Sequence, residues 1–147
     1  MSTRMLFLAL IPMFLTGCAK GPPQPVEIEE ADSCALCKMA ISQKQYAAEL
    51  IDAEERVYKF DDIGCLLKFA ADRNLTGRAP ENVYLYFRDF DGAGWIKGDS
   101  AQFVRSPEIP SPMASGIIAV SNRQKAESHA VQFGGGVFGF EELWKKK

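Results

Sequence analysis

The stretch Tyr46-Ala-Ala-Glu-Leu-Ile-Asp-Ala-Glu-Glu-Arg-Val-Tyr-Lys-Phe60, running straight on into Asp61-Asp62-Ile63-Gly-Cys65-Leu-Leu-Lys-Phe69-Ala70, decides the class of fold. Tyr46 to Ile51 and Arg56 to Phe60 flank an Asp-Ala-Glu-Glu turn, the pattern of a β-hairpin. Asp61 then stands where an N-cap belongs. Ile63, Leu66, Leu67, Phe69 and Ala70 follow at helical spacing until Asn74 to Gly77 end the helix. A hairpin that feeds a helix predicts an α+β domain.

Towards the C-terminus, Val83 to Phe87 reads as a strand, followed by the Asp91-Gly92-Ala93-Gly94 turn and a short piece around Trp95 and Ile96. Ser106-Pro-Glu-Ile-Pro-Ser-Pro112 has few backbone donors and a fixed φ at each proline, so it predicts a rigid loop. Ile117 to Val120 is an apolar run of strand length. Asn122 caps a helix through about Val131, Gly134-Gly135-Gly136 breaks it, and Val137 to Phe140 leads into a last helical turn or two over 141–147. Tyr58 to Ile63 echoes Phe138 to Leu143, each a strand end running into an acid-capped helix, which suggests two related strand-helix units in tandem.

Towards the N-terminus, residues 19–33 carry Pro22, Pro23, Pro25 and the acids Glu27, Glu29 and Glu30, with neither structural period, and read as a tether. Extended at roughly 3.1 Å per residue, such a segment would reach about 40 Å. Ahead of it, Met1 to Arg4 give a positive end, Met5 to Leu15 an apolar run, and Leu15-Thr16-Gly17-Cys18 a small-residue processing site. The apolar run is well short of the roughly 20 residues that span a bilayer, so it reads as a secretory signal rather than an anchor. The Leu-Thr-Gly-Cys tetrad resembles the lipoprotein box, in which the cysteine is acylated and becomes the mature N-terminus. An ordinary signal peptide with a chance cysteine is the alternative. The expected organisation is therefore signal peptide 1–17, lipid anchor on Cys18 with a flexible tether to 33, and a folded domain 34–147. Ala19, where inner-membrane retention signals usually place Asp, favours the outer membrane of the periplasm over the inner.

The chain has 147 residues, 47% hydrophobic and 24% charged, which is enough apolar material for one core. A formal charge of −2 leaves no basic footprint for nucleic acid. With His129 as the single histidine, imidazole cages are excluded, and soft-ligand chemistry falls to Cys18, Cys34, Cys37, Cys65 and the methionines.

Cys34-Ala-Leu-Cys37-Lys-Met39 is the informative segment. Thiolates and thioethers are polarizable donors that select copper(I) over harder ions. The Cys-x-x-Cys turn brings sulfurs within reach of one ion, and Met39 adds a thioether that suits copper(I) far better than zinc. Met113 follows the proline loop, where a core methionine is less expected. Other readings stand beside this one. Met39 and Met113 could pack, as methionines do. The cysteines could form a zinc knuckle completed by Cys65 and a fourth ligand, making a zinc-stabilised interaction module. Cys34 and Cys37 could serve a thiol-disulfide oxidoreductase, although that motif wants a helix N-terminus after a strand, and here a proline-rich stretch precedes it. Cys65, among Ile63, Leu66 and Phe69, reads as a small buried hydrophobe, and His129 as a surface imidazole.

These residues together resemble the NosL family of lipoprotein copper chaperones that serve maturation of nitrous oxide reductase. The likeness lies in the lipoprotein box, in Cys37-Lys-Met39 after the proline-rich stretch, and in Phe60-Asp61-Asp62. It continues through Pro112-Met113-Ala-Ser-Gly116-Ile-Ile-Ala-Val120, and through Ala126 to Phe140 with the final Phe-Glu-Glu-Leu. It implies an α+β fold of two related units. It also implies a copper(I) site built on Cys37, Met39 and Met113, no enzymatic activity, and delivery of copper to a cuproenzyme. Cys34 departs from family members that carry a lone cysteine in Cys-x-Met. It stands as either a further sulfur ligand or a disulfide partner, and it widens the set of target enzymes.

Overall fold

The computed structural model describes residues 21–76, 82–92 and 94–145. In it the hairpin forms where its sequence places it, with β1 (Ala48–Ile51) and β2 (Val57–Phe60) paired antiparallel, Ala48 opposite Phe60 and Ile51 opposite Val57. Asp52 organises the turn: its carboxylate accepts from the backbone N–H groups of Glu54 and Arg56 and pairs with the Arg56 guanidinium at 2.7 Å. Helix α1 (Ile63–Asp72) follows, capped by Asp62 and not by Asp61. The Asp62 Oδ1 accepts from the Gly64 N–H at 2.6 Å. This one-residue difference leaves the Asp61 carboxylate free for another task.

Strand β3 (Tyr84–Arg88) returns beside β1, and β4 (Trp95–Lys97) beside β3, giving the sheet order β2-β1-β3-β4. The chain then builds β5 (Gln102–Arg105), β6 (Ile117–Val120), α2 (Arg123–Phe133), β7 (Gly136–Gly139) and α3 (Phe140–Leu143), with the second sheet ordered β6-β5-β7. Each half is a hairpin, a helix, and a strand that comes back to pair with the first strand of the hairpin. The fold is therefore α+β with two ββαβ units in tandem. The topology aligns the halves differently from the sequence echo: α1 corresponds to α2, with caps Asp62 and Asn122, and the Asn122 side chain accepts from the Lys125 N–H. The echo linked the start of α1 to the start of α3, which occupy different places in their units. Gly134, at φ 61°, ends α2 in the left-handed conformation that glycine adopts without penalty.

Strand β5 lies at the centre of the second sheet with Phe103 and Val104 fully buried, yet no strand was expected there, since only two of its residues are apolar. One core spans both units. Phe60, Leu66 and Phe69 from the first meet Phe103, Ala119 and Trp144 from the second, and Phe87 contacts Phe103 edge-on at 4.9 Å. Burying side chains of this size contributes about 1.5–3 kcal/mol each. The sheets are also spliced at their ends by a parallel bridge between Asp89 and Ala119.

The proline-rich stretch expected as a flexible tether up to residue 33 is instead docked on the first sheet from Pro23 onward. Prolines lack N–H groups but keep their carbonyls. Tyr86 donates its hydroxyl to the Pro23 carbonyl at 2.6 Å, and Lys59 donates to that of Glu27 at 2.8 Å. Ile28 is buried against Ile41 and Ala47, Arg88 pairs with Glu27 at 3.1 Å, and Lys59 pairs with Asp32, whose carboxyl it holds below the usual range. The Val26 N–H donates to the buried Glu49 carboxylate at 3.0 Å. The signal peptide 1–17 and Cys18 lie outside the described residues. No helix among the described residues is long and apolar enough to cross a membrane.

Candidate metal site

The Cys34–Cys37 turn is built on the end of the docked segment. Ser33 and Ala40 form a bridge, the Cys34 N–H donates to the Met39 carbonyl at 2.8 Å, and the Lys38 N–H donates to the Cys34 carbonyl at 3.0 Å with Lys38 at φ 66°. The Ala35 N–H donates to the carbonyl of Lys59 in β2 at 2.7 Å, which fastens the turn to the strand that leads into α1. The start of α1 then faces it. The sulfurs of Cys34, Cys37 and Cys65 and a carboxylate oxygen of Asp61 all lie within 4.8 Å of one another. Both Asp61 oxygens are 3.6 Å from the Cys37 Sγ.

Burial grades this cluster from inside to outside. Cys34, Asp61 and Cys65 are 0%, 2% and 4% exposed, and Cys37 is half-buried. All three cysteines are free thiols. Burial pushes the Cys37 thiol pKa up; neighbouring Cys34 and Asp61 push it further, against the Met39 N–H, which lowers it. Burial pushes Cys65 up strongly, reinforced by Cys34 and Asp61. Thiols held in this way keep their protons until a cation replaces them. A redox-active thiol wants the opposite shift, supplied by a helix N-terminus, and this Cys-x-x-Cys sits in a turn rather than on a helix.

Met39 is 56% exposed and Met113 43%. Neither fills the core, so both thioethers are open to water. Met113 has a fixed backbone. Its N–H donates to the Asp62 Oδ2 at 2.9 Å, so one carboxylate caps α1 and holds the second unit's loop beside the cysteine cluster. The loop is held from its other side as well. Gly116 adopts φ 64°, and a Cβ there would fall 2.2 Å from the Ser106 carbonyl oxygen; a Cβ on Gly64 would fall 2.6 Å from the Cβ of Ser115.

Of the residues singled out by sequence, the fold brings Cys34 and Cys37 together and leaves Met39 and Met113 in water. Cys65 is buried as expected, and its sulfur also lies within the cluster. Asp61, expected as the cap, is the residue the sequence reading missed; it stands where the zinc-knuckle alternative had an unnamed fourth ligand beside Cys34, Cys37 and Cys65. The available signal was that Asp61 and Cys65 are four apart across a helix start, which sets them on one face. His129 also differs from expectation: 15% exposed in its side chain, it bonds Asp91 at 2.6 Å and packs edge-on against Phe90. It takes no part in the site.

A tandem ββαβ domain with a sulfur-rich turn at the start of its first helix is a small α+β scaffold whose donors suit a soft metal ion. The NosL family model matches residues 25–147, and the chain belongs to the NosL family. Among solved structures, the crystal structure of the copper chaperone NosL from Shewanella denitrificans matches with a TM-score of 0.72 at 25% identity, covering 83% of this chain and 96% of that one. A search of curated proteins gives no match.

Proposed function

We propose that this chain is a periplasmic copper(I) chaperone, anchored through lipid on Cys18, that binds copper at Cys37, Met39 and Met113 with Cys34 at hand and passes it to a cuproenzyme such as nitrous oxide reductase. The observation that carries this reading is the pair of half-exposed thioethers, Met39 and Met113, belonging to a segment and a loop that both pack at the cysteine-bearing start of α1. Membership of the NosL family and likeness to a copper chaperone support the same cargo. Thioether donors in water can be exchanged one at a time for a partner's ligands, which a closed tetrahedral site would resist. The lipoprotein box supports the anchor, and Ala19 the outer membrane. The docking of residues 23–33 shortens the free tether, so the domain works close to the bilayer.

Anaerobic copper(I) titration against a competing chelator tests the ligand set. Cys37→Ser should weaken binding more than Met39→Leu or Met113→Leu, because the anionic thiolate supplies most of the attraction, and zinc should bind more weakly than copper(I). Affinities unchanged in both methionine variants would refute the ligand set. For the anchor, Cys18→Ala should move the protein from the membrane to the soluble fraction, and an intact mass without acyl chains in the wild type would refute it.

A further inference from the structure

The sulfur donors outnumber the needs of one copper(I) ion, and burial sorts them into two sets. Met39 and Met113 are half in water, Cys34 and Cys65 are 0% and 4% exposed, and the half-buried Cys37 stands between. We infer that Cys34, Cys37 and Cys65 form a second, buried copper(I) position, which shares the Cys37 sulfur with the exposed one. The inference rests on the proposed copper cargo and adds to its ligand set.

Distance permits it. Donors on one ion at a metal–sulfur bond of about 2.3 Å stand no more than about 4.6 Å apart. The cluster already lies within 4.8 Å, so closing on an ion takes only small side-chain rotations. Charge favours two ions over one. A lone monovalent ion that all three sulfurs ligate as thiolates, beside the Asp61 carboxylate, would leave several uncompensated negative charges in an apolar wall of Phe60, Leu66 and Leu36, which is costly. A second copper(I) on the bridging Cys37 thiolate lowers that excess. Each thiol that becomes a ligand gives its proton to water, and no sulfur or copper changes oxidation state. The backing position retains copper while the exposed one exchanges it.

Native mass spectrometry of the anaerobic protein loaded with copper(I), together with cysteine alkylation, tests this. The wild type should carry two ions and protect Cys34, Cys37 and Cys65 from alkylation. Cys65→Ala should carry one ion. Met39→Leu with Met113→Leu should also carry one, with Cys34 and Cys65 still protected. A wild type that binds one ion while Cys34 and Cys65 are alkylated under mild denaturant as fast as in the apoprotein overturns the inference and leaves the exposed site standing. That readout needs no variant to fold. Zinc taking the buried position in preference to copper(I), when both are offered at equal concentration, also overturns it. A wild type that binds no copper overturns both readings.

Discussion

Replacing Asp62 by alanine removes a fully buried carboxylate that makes two bonds at once, to the Gly64 N–H at 2.6 Å and to the Met113 N–H at 2.9 Å. Loss of a helix N-cap costs about 1 kcal/mol. Loss of a charge-assisted bond to a partly buried N–H costs about 1.5–3 kcal/mol more. The sum is about 3 kcal/mol, and at roughly 4 °C per kcal/mol for a domain of this size the melting temperature should fall by about 12 °C. Asp62→Asn keeps one acceptor oxygen, which can serve one N–H but not both, so it should lose about half as much. The two variants should also part in function: without the bond to Met113 the loop is no longer held at the start of α1, and on the proposed ligand set copper(I) retention should weaken in Asp62→Ala even at temperatures where the protein is folded. Thermal unfolding of the apoproteins and chelator competition measure the two effects, and hydrogen exchange at the Met113 amide reports the bond directly. A melting temperature within about 2 °C of the wild type, or a Met113 amide equally protected without the carboxylate, would show that Asp62 does not join the helix to the loop.

Glu49, fully buried with its pKa pushed up to about 7 chiefly by burial, is easier to protonate folded than unfolded. Stability should therefore be highest below the unfolded value, fall as pH rises from about 4.5 to about 7, and stay flat above, by at most about 3 kcal/mol. Glu49→Gln keeps the bond from Val26 and should flatten that fall, so that the variant is the more stable protein at pH 8; denaturant curves at both ends of the range check this. Gly116→Ala should destabilise severely, since its Cβ would meet the Ser106 carbonyl at 2.2 Å in a left-handed conformation, and a soluble variant with wild-type melting would contradict it. Gly64→Ala should push Ser115 off the start of α1 and cost about 1–3 kcal/mol, as overpacking does, with copper retention reduced in step, readable from melting and chelator competition together.

The hairpin, the first helix and the sulfur-bearing turn were legible because each is a local pattern: alternating apolar runs about an acidic turn, helical spacing after an acid, and cysteines close in sequence. Strand β5 was not, because a central strand takes its stability from neighbours on both sides and needs little pattern of its own. The docked stretch from Pro23 was misread for a related reason. Composition marks a proline-rich run as extended, which it is, but not whether a sheet waits to accept its carbonyls. Cys65 was legible as buried from its own helix, but its nearness to Cys34 could be offered only as an alternative, since the approach of Cys34 depends on the Ala35 bond to β2. The cap illustrates how fine the margin is. Asp61 and Asp62 are chemically alike, and only the register of α1 decides which one takes the Gly64 N–H and which one faces the thiols.

The tandem architecture explains why the site stands where it does. Aligning the units by their caps places Ser121 where the first unit has Asp61, and Lys125 where it has Cys65. Lys125 reaches towards Asp89 and Asp91 at 3.7 and 3.8 Å, so the second helix start is committed to ion pairs and offers no soft donor. The two halves thus share a topology but divide the chemistry. Among the described residues the first unit and the docked stretch before it carry the thiols, Cys34 and Cys37 in the turn and Cys65 at the helix start; the second carries the exposed Met113, on the loop between β5 and β6. A donor in the first unit and a donor in the second can act on the same copper only if the units keep their register, and the Asp62 carboxylate bonds directly to both. With the proposed ligand set, the packing of the two halves and the grip on copper would be one property, and a partner contact that pries the 106–116 loop from the start of α1 should release the ion.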